Sequence, residues 1–104
     1  MREKNYRVIK ILKSMGSPIR FQICRLLIEH DEMNVSELAE KIGCSQNQTS
    51  QHLRNLKNVD LVHYRHEGTY ICYRLKKPDI VRRILDLADE LSRQEDSEES
   101  EEFS

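Results

Sequence analysis

From residue 44 to residue 58 the chain reads CSQNQTSQHLRNLKN. Gln46, Asn47, Gln48, Ser50, Gln51 and His52 crowd amides, a hydroxyl and an imidazole into a single short run. These groups recognise rather than make bonds. Asn and Gln pair bidentately with adenine, Arg pairs with guanine, and Ser or Thr bonds several base-edge acceptors. Ser, Thr and Asn are mediocre helix formers, because their side chains compete for backbone hydrogen bonds. Leu53 and Leu56 nevertheless mark the segment as helical. Something other than helix stability has chosen its polar residues.

At about 3.6 residues per turn, Thr49, Leu53 and Leu56 cluster on one side as an anchor. Asn47, Gln48, Gln51, Arg54 and Asn55 fall on the other, with Ser50 and His52 on the flanks. Gln46, Asn47, Gln48, Ser50, Gln51 and His52 are the expected base readers. Ser45, Thr49 and Arg54 are assigned to the DNA backbone. The plain alternative is a solvated polar face. Such faces are usually rich in Glu and Lys, and residues 45–53 contain neither.

The elements that must position this run are legible on either side. Val8, Ile9, Ile11, Leu12 and Met15 form a helical stripe over 6–15, which Gly16 ends. Ser17 and Pro18 read as a cap and first position of a second helix reaching about His30, with Ile19, Ile23, Leu26 and Leu27 inward. Ser36 is the expected cap of a short helix through Leu38, Ala39 and Ile42. Gly43 sits where a left-handed turn would close it. Ser45 caps the amide-rich helix that follows. Residues 36–58 are thus helix, tight turn, helix.

Two β-prone runs then flank Glu67-Gly68, predicting a hairpin with Ile71, Tyr73 and Leu75 on its buried face. Arg65, His66 and Thr69 lie about its tip, where they would meet phosphates or the minor groove. Pro78-Asp79 opens a last helix carrying Ile80, Ile84, Leu85, Leu87, Ala88 and Leu91. The expected fold is mainly α with a β-hairpin wing, a winged helix-turn-helix spanning 1–92.

Composition narrows the function. Residues 1–88 hold 16 basic against 10 acidic side chains, a balance of +6, while residues 89–104 hold 1 against 8, a balance of −7. The near-neutral whole conceals a basic body suited to a polyanion. Residues 93–104 are expected to be an acidic disordered tail. No apolar run approaches a bilayer span and no export signal precedes the first helix, so a cytoplasmic protein without membrane association is expected. Three cysteines, Cys24, Cys44 and Cys72, make no disulfide framework and fit a reducing compartment. Each is a candidate thiol sensor, with a small buried hydrophobe as the plain alternative. With no Gly-rich phosphate loop, nucleophile motif or paired His/carboxylate spacing, neither an enzyme nor a cofactor is expected.

The stretches LKSMGSPIRFQICRLL, VSELAEKIGCSQNQTSQHLRNLKNVDLV and RHEGTYICYRL together resemble the arsenic-repressor (ArsR/SmtB) family of winged-helix regulators. The resemblance runs from about Val8 to Leu91. It implies a homodimer joined by the first and last helices, a double-stranded inverted-repeat operator, and repression relieved by an inducer. Many members bind metal through a Glu-Leu-Cys-Val-Cys-Asp-Leu box. Here Asn34 and Ser36 stand where the thiolates belong. The zinc pattern of the last helix is also missing: Asp79 is followed by Val81, and no histidine follows His66. No metal site is therefore expected, and the inducer stays open. A winged-helix protein-interaction module, or a regulator acting without an inducer, is the competing reading.

Overall fold

Each turn in this chain has a local cause, and the turns arrange the helices. The computed structural model describes residues 2–97. Within them run α1 (Glu3–Met15), α2 (Pro18–His30), β1 (Met33–Asn34), α3 (Val35–Ile42), α4 (Gln46–Asn58), β2 (Val62–Glu67), β3 (Tyr70–Leu75) and α5 (Pro78–Ser97). The strands form an antiparallel sheet in the order β1-β3-β2. This is the expected winged helix-turn-helix.

Gly43 closes α3 at φ +82°, a left-handed conformation that glycine adopts without a Cβ penalty. Its N–H bonds the Ala39 carbonyl at 2.9 Å, which turns the chain directly into α4. At the other end of α2, Asp31 takes φ +67° and the Glu32 N–H bonds the His30 carbonyl at 2.7 Å. That three-residue γ-turn is a strained geometry. The Arg74 guanidinium pairs with the Asp31 carboxylate at 3.1 Å on the surface beside it.

The core lies between α2, α3, α4, the sheet and α5. Ile23, Leu38, Leu53 and Leu56 are fully enclosed, with Leu27, Met33, Val62, Leu75, Val81 and Leu85 packed around them. Burying each such side chain stabilises the fold by roughly 1.5–3 kcal/mol before entropy is counted. On the surface, Arg25 and Asp89 tie α2 to α5, and Lys76 pairs with Asp60 at 2.6 Å.

Several expectations are corrected. The first helix begins at Glu3 rather than Tyr6. Ser17 stands at the cap of α2 but makes no side-chain cap bond. The cap of α3 is Asn34, not Ser36: the Asn34 side chain accepts from the Glu37 N–H at 2.8 Å, and the Glu37 carboxylate accepts from the Asn34 N–H at 3.0 Å. An Asn-x-x-Glu box satisfies two backbone donors at once, whereas Ser36 lies inside the first turn. The strand β1 was not foreseen. It pairs Met33 with Tyr73 and Asn34 with Cys72.

On β3, Leu75 is buried, but Ile71 and Tyr73 are only half-buried, and Cys72 on the opposite face is enclosed. The last helix runs through Ser97, so the boundary expected at residue 92 falls inside α5. The remainder of the expected tail lies outside the described residues. Among those described, no helix is long and apolar enough to cross a membrane.

Candidate nucleic-acid interface

The amide-rich run folds as its spacing requires. Ser45 caps α4 by accepting the Gln48 N–H at 3.1 Å, while the Gln48 side-chain carbonyl accepts the Ser45 N–H at 3.2 Å. This capping box fixes the first turn and sets the azimuth of every later residue. Thr49, Leu53 and Leu56 are wholly buried beneath it. Gln46, Asn47, Gln48, Gln51 and Arg54 are exposed, with Ser50 and His52 half-buried at the margins. Asn47, Gln48, Gln51 and Arg54 therefore present four planar polar groups on one open face, anchored by the three buried residues.

Two assigned residues have other duties. Thr49 is 0% exposed and donates its hydroxyl to the Ser45 carbonyl at 2.9 Å, so it cannot reach a phosphate. It belongs to the anchor alone. The Gln48 carbonyl is occupied by the cap, which leaves its NH2 group as the available donor.

His52 is held from behind. The Arg20 guanidinium lies 3.0 Å from His52 Nδ1 through Nη1, and its Nε donates to the Ser14 carbonyl at 2.7 Å. Partial burial, reinforced by the Arg20 charge, lowers the His52 pKa from the ordinary histidine value. Asn55, on the same helix, accepts the Ser14 hydroxyl at 2.6 Å. Arg20, Ser14 and Asn55 thus form a polar brace between α1, α2 and α4. Sequence reading overlooked Arg20 as a site residue because its partner lies 32 positions away and no local spacing links the two.

The wing is less open than its sequence suggested. Arg65, on β2, donates through Nη2 to Glu32 at 2.6 Å and to Glu67 at 3.0 Å, with Nε also bonded to Glu32 at 3.0 Å. These carboxylates, Glu32 foremost, raise the Arg65 pKa, and Arg65 in turn lowers that of Glu32. Arg65 can meet phosphate through Nη1, which these bonds leave unused, or by exchanging its partners. His66 and Thr69 are exposed, and the His66 ring stands edge-on to Tyr64 with centroids 5.8 Å apart. Lys57 lies over the Tyr64 ring at 4.5 Å, fastening α4 to β2.

The cysteines are placed differently from one another. Cys24 is fully enclosed, and burial pushes its thiol up to about 11. Cys72 lies beneath Arg65 with its thiol 3.8 Å from the Glu67 carboxylate. Burial and then the Glu32 charge raise its pKa. Glu32, Glu67 and Cys72 bring their ligand-capable atoms within 4.8 Å of one another. The Arg65 guanidinium already supplies both carboxylates with a cation. Cys44 is half-buried at the turn between α3 and α4.

Comparison with known proteins agrees with this geometry. Residues 15–65 match a family model described as a helix-turn-helix domain. A Methanocaldococcus jannaschii protein named as the uncharacterized HTH-type transcriptional regulator MJ1325 is 36% identical over 86% of this chain and 99% of its own. The transcriptional repressor PagR of Bacillus anthracis is 30% identical over 68% of this chain and 71% of its own. The solution structure of the homodimeric winged helix-turn-helix DNA-binding domain of Mb0332 from Mycobacterium bovis superposes with a TM-score of 0.73 at 26% identity, covering 100% of this chain and 97% of that one. The chain belongs to the arsenic-repressor (ArsR/SmtB) family of winged-helix transcriptional regulators.

Proposed function

We propose that this regulator is a homodimeric, sequence-specific repressor that reads an inverted-repeat operator through α4. The observation that carries the proposal is the exposed amide face of Asn47, Gln48 and Gln51 over a fully buried Thr49-Leu53-Leu56 anchor. Base-edge hydrogen bonding needs rigidly held planar donors and acceptors, and this helix presents them. Arg54 stands beside them for the phosphate backbone.

Dimerisation is supported by apolar side chains left uncovered on the first and last helices. Tyr6, Val8, Ile9 and Leu12 on α1 are 42–53% exposed, and Ile80, Leu87 and Leu91 on α5 are 47–68% exposed. Apolar stripes left exposed on two helices are features of an association site. The homodimeric state of the Mb0332 domain supports dimerisation, and PagR supports a repressor role. A two-fold dimer would set its two recognition helices in successive major grooves, about 34 Å apart.

Selection of binding sites from a random duplex pool by the full chain tests the reading. It should return a palindromic motif whose affinity falls steeply with salt, because phosphate neutralisation releases counterions. If no duplex is retained even at low salt, the interaction-module reading takes its place. A reporter fused to the selected site should rise in expression when the regulator is deleted, and a fall would make it an activator.

The same reading includes release by an inducer, thiol-reactive or other. Operator binding titrated against zinc, arsenite, peroxide and polysulfide, beside a triple cysteine-to-serine variant, separates the cases. Thiol sensing is excluded if the triple variant responds like the wild type.

A further inference from the structure

We infer that Arg20 is a positioning residue of the recognition helix, holding His52 as a single neutral tautomer whose Nε2–H is a fixed donor to DNA. The inference rests on α4 being the DNA-reading helix and identifies a residue outside that helix on which the reading depends.

The hydrogen-bond logic is one-directional. A guanidinium only donates, so the His52 nitrogen facing Arg20 at 3.0 Å must be the acceptor. Nδ1 therefore carries no proton, and the proton of the neutral ring resides on Nε2. Among the described residues Nε2 has no partner, and no buried side-chain polar atom lacks one, so Nε2–H is open to solvent. His52 lies one turn beyond Gln48 and borders the exposed amide face. A donor in that place would face a phosphate or a base-edge acceptor.

Arg20 is itself locked. Its Nε bonds the Ser14 carbonyl at 2.7 Å while Nη1 engages the ring. Two donors on different nitrogens of one plane cannot be reproduced by lysine, whose single nitrogen sits on a flexible stem. Ser14 is buried, and its hydroxyl reaches Asn55 one turn beyond His52. The brace therefore touches α4 at two successive turns, fixing its rotation as well as its distance. The half-burial of His52 and the nearby arginine charge both favour the neutral ring that this arrangement needs.

The test uses the full chain, a duplex enriched from a random pool by the wild type, and the variants Arg20→Lys, Arg20→Gln and His52→Gln. Nitrogen–proton correlation spectra of the His52 ring report its tautomer directly. The wild type should show Nε2–H alone, and both Arg20 variants a mixture. Each Arg20 variant should lose about tenfold in affinity, the size of one hydrogen bond to a charged group. Combining Arg20→Gln with His52→Gln should cost no more than His52→Gln alone, because Arg20 acts through the ring. An unchanged tautomer in Arg20→Lys overturns the inference, as do additive losses in the double variant, which would make Arg20 a direct DNA contact. Should Arg20→Gln fail to fold, the lysine variant decides the matter through the same spectra. If the wild type enriches no duplex, the DNA-reading proposal fails and takes the donor role with it, whereas a normal enrichment with unaffected Arg20 variants sinks this inference alone.

Discussion

Ser14 donates its hydroxyl to the side-chain carbonyl of Asn55 at 2.6 Å, fastening the last turn of α1 to the recognition helix. Ser14 is 4% exposed while Asn55 lies at the surface, so this bond is partly buried. Ser14→Ala should destabilise the fold by about 1 kcal/mol, the net worth of a neutral hydrogen bond. Denaturant unfolding measures it, and a midpoint equal to that of the wild type would show that the bond contributes nothing.

The two faces of α4 should separate in mutagenesis. Asn47→Ala and Gln51→Ala remove exposed amides, so each should cost about 1–3 kcal/mol of discrimination between matched and mismatched duplexes. Neither should move the thermal midpoint appreciably, since surface substitutions stay within about 0.5 kcal/mol. Thr49→Val should do the reverse, lowering stability through the lost bond to the Ser45 carbonyl while leaving base preference intact. A changed base preference in Thr49→Val would put Thr49 back at the interface.

Burial orders the thiols. Cys24, with its pKa pushed up to about 11, and Cys72, beneath Arg65, should resist a disulfide reagent at neutral pH until the protein is unfolded. Cys44 is the accessible one and should account for the whole fast phase. Counting the thiolate released before and after denaturant, in the wild type and in Cys44→Ser, decides it. A fast phase that survives Cys44→Ser would return Cys24 or Cys72 to consideration as a sensor.

Stability should depend on pH through His52. Burial first, and Arg20 second, place its folded pKa below the unfolded value near 6.5, so the unfolded chain binds more protons in that interval. The His52 contribution is complete above about pH 6.5 and is lost as pH falls through the lowered folded pKa. Asp60, Glu32 and Asp89, held down by Lys76, Arg65 and Arg25 respectively, lose theirs only below the ordinary carboxylate range. Unfolding midpoints between pH 7.5 and 5 should therefore fall in the wild type and flatten in His52→Gln. Equal slopes in the two proteins would remove His52 as the cause.

The parts of this molecule that sequence reading found are those specified by neighbours in the chain. Gly43, Ser45 and the Thr49-Leu53-Leu56 spacing define the turn, the cap and the buried face of α4 within a few positions. The cap of α3 was equally local: Asn34 and Glu37 carry the box, but attention fell on Ser36. What was out of reach depends on distant partners. β1 exists only because β3 lies alongside it, 40 residues on at Met33 and Tyr73. Arg65 looked like a phosphate ligand until Glu32 arrived beside it from the loop before β1. Cys72 owes part of its cover to the same loop, since Glu32 joins Glu67 of its own hairpin around the thiol.

Asn34 belongs to two structures at once. Its backbone is paired with Cys72 in the sheet, and its side chain closes the first turn of α3. A hairpin joined to the body only through its two ends could pivot freely on the DNA. Here the wing is welded to the front of the helix-turn-helix, so a tilt of one obliges a tilt of the other. The amides of Cys72 and Glu37 should open to exchange in a single event, and pressure applied at the wing tip should reach α4 by way of α3.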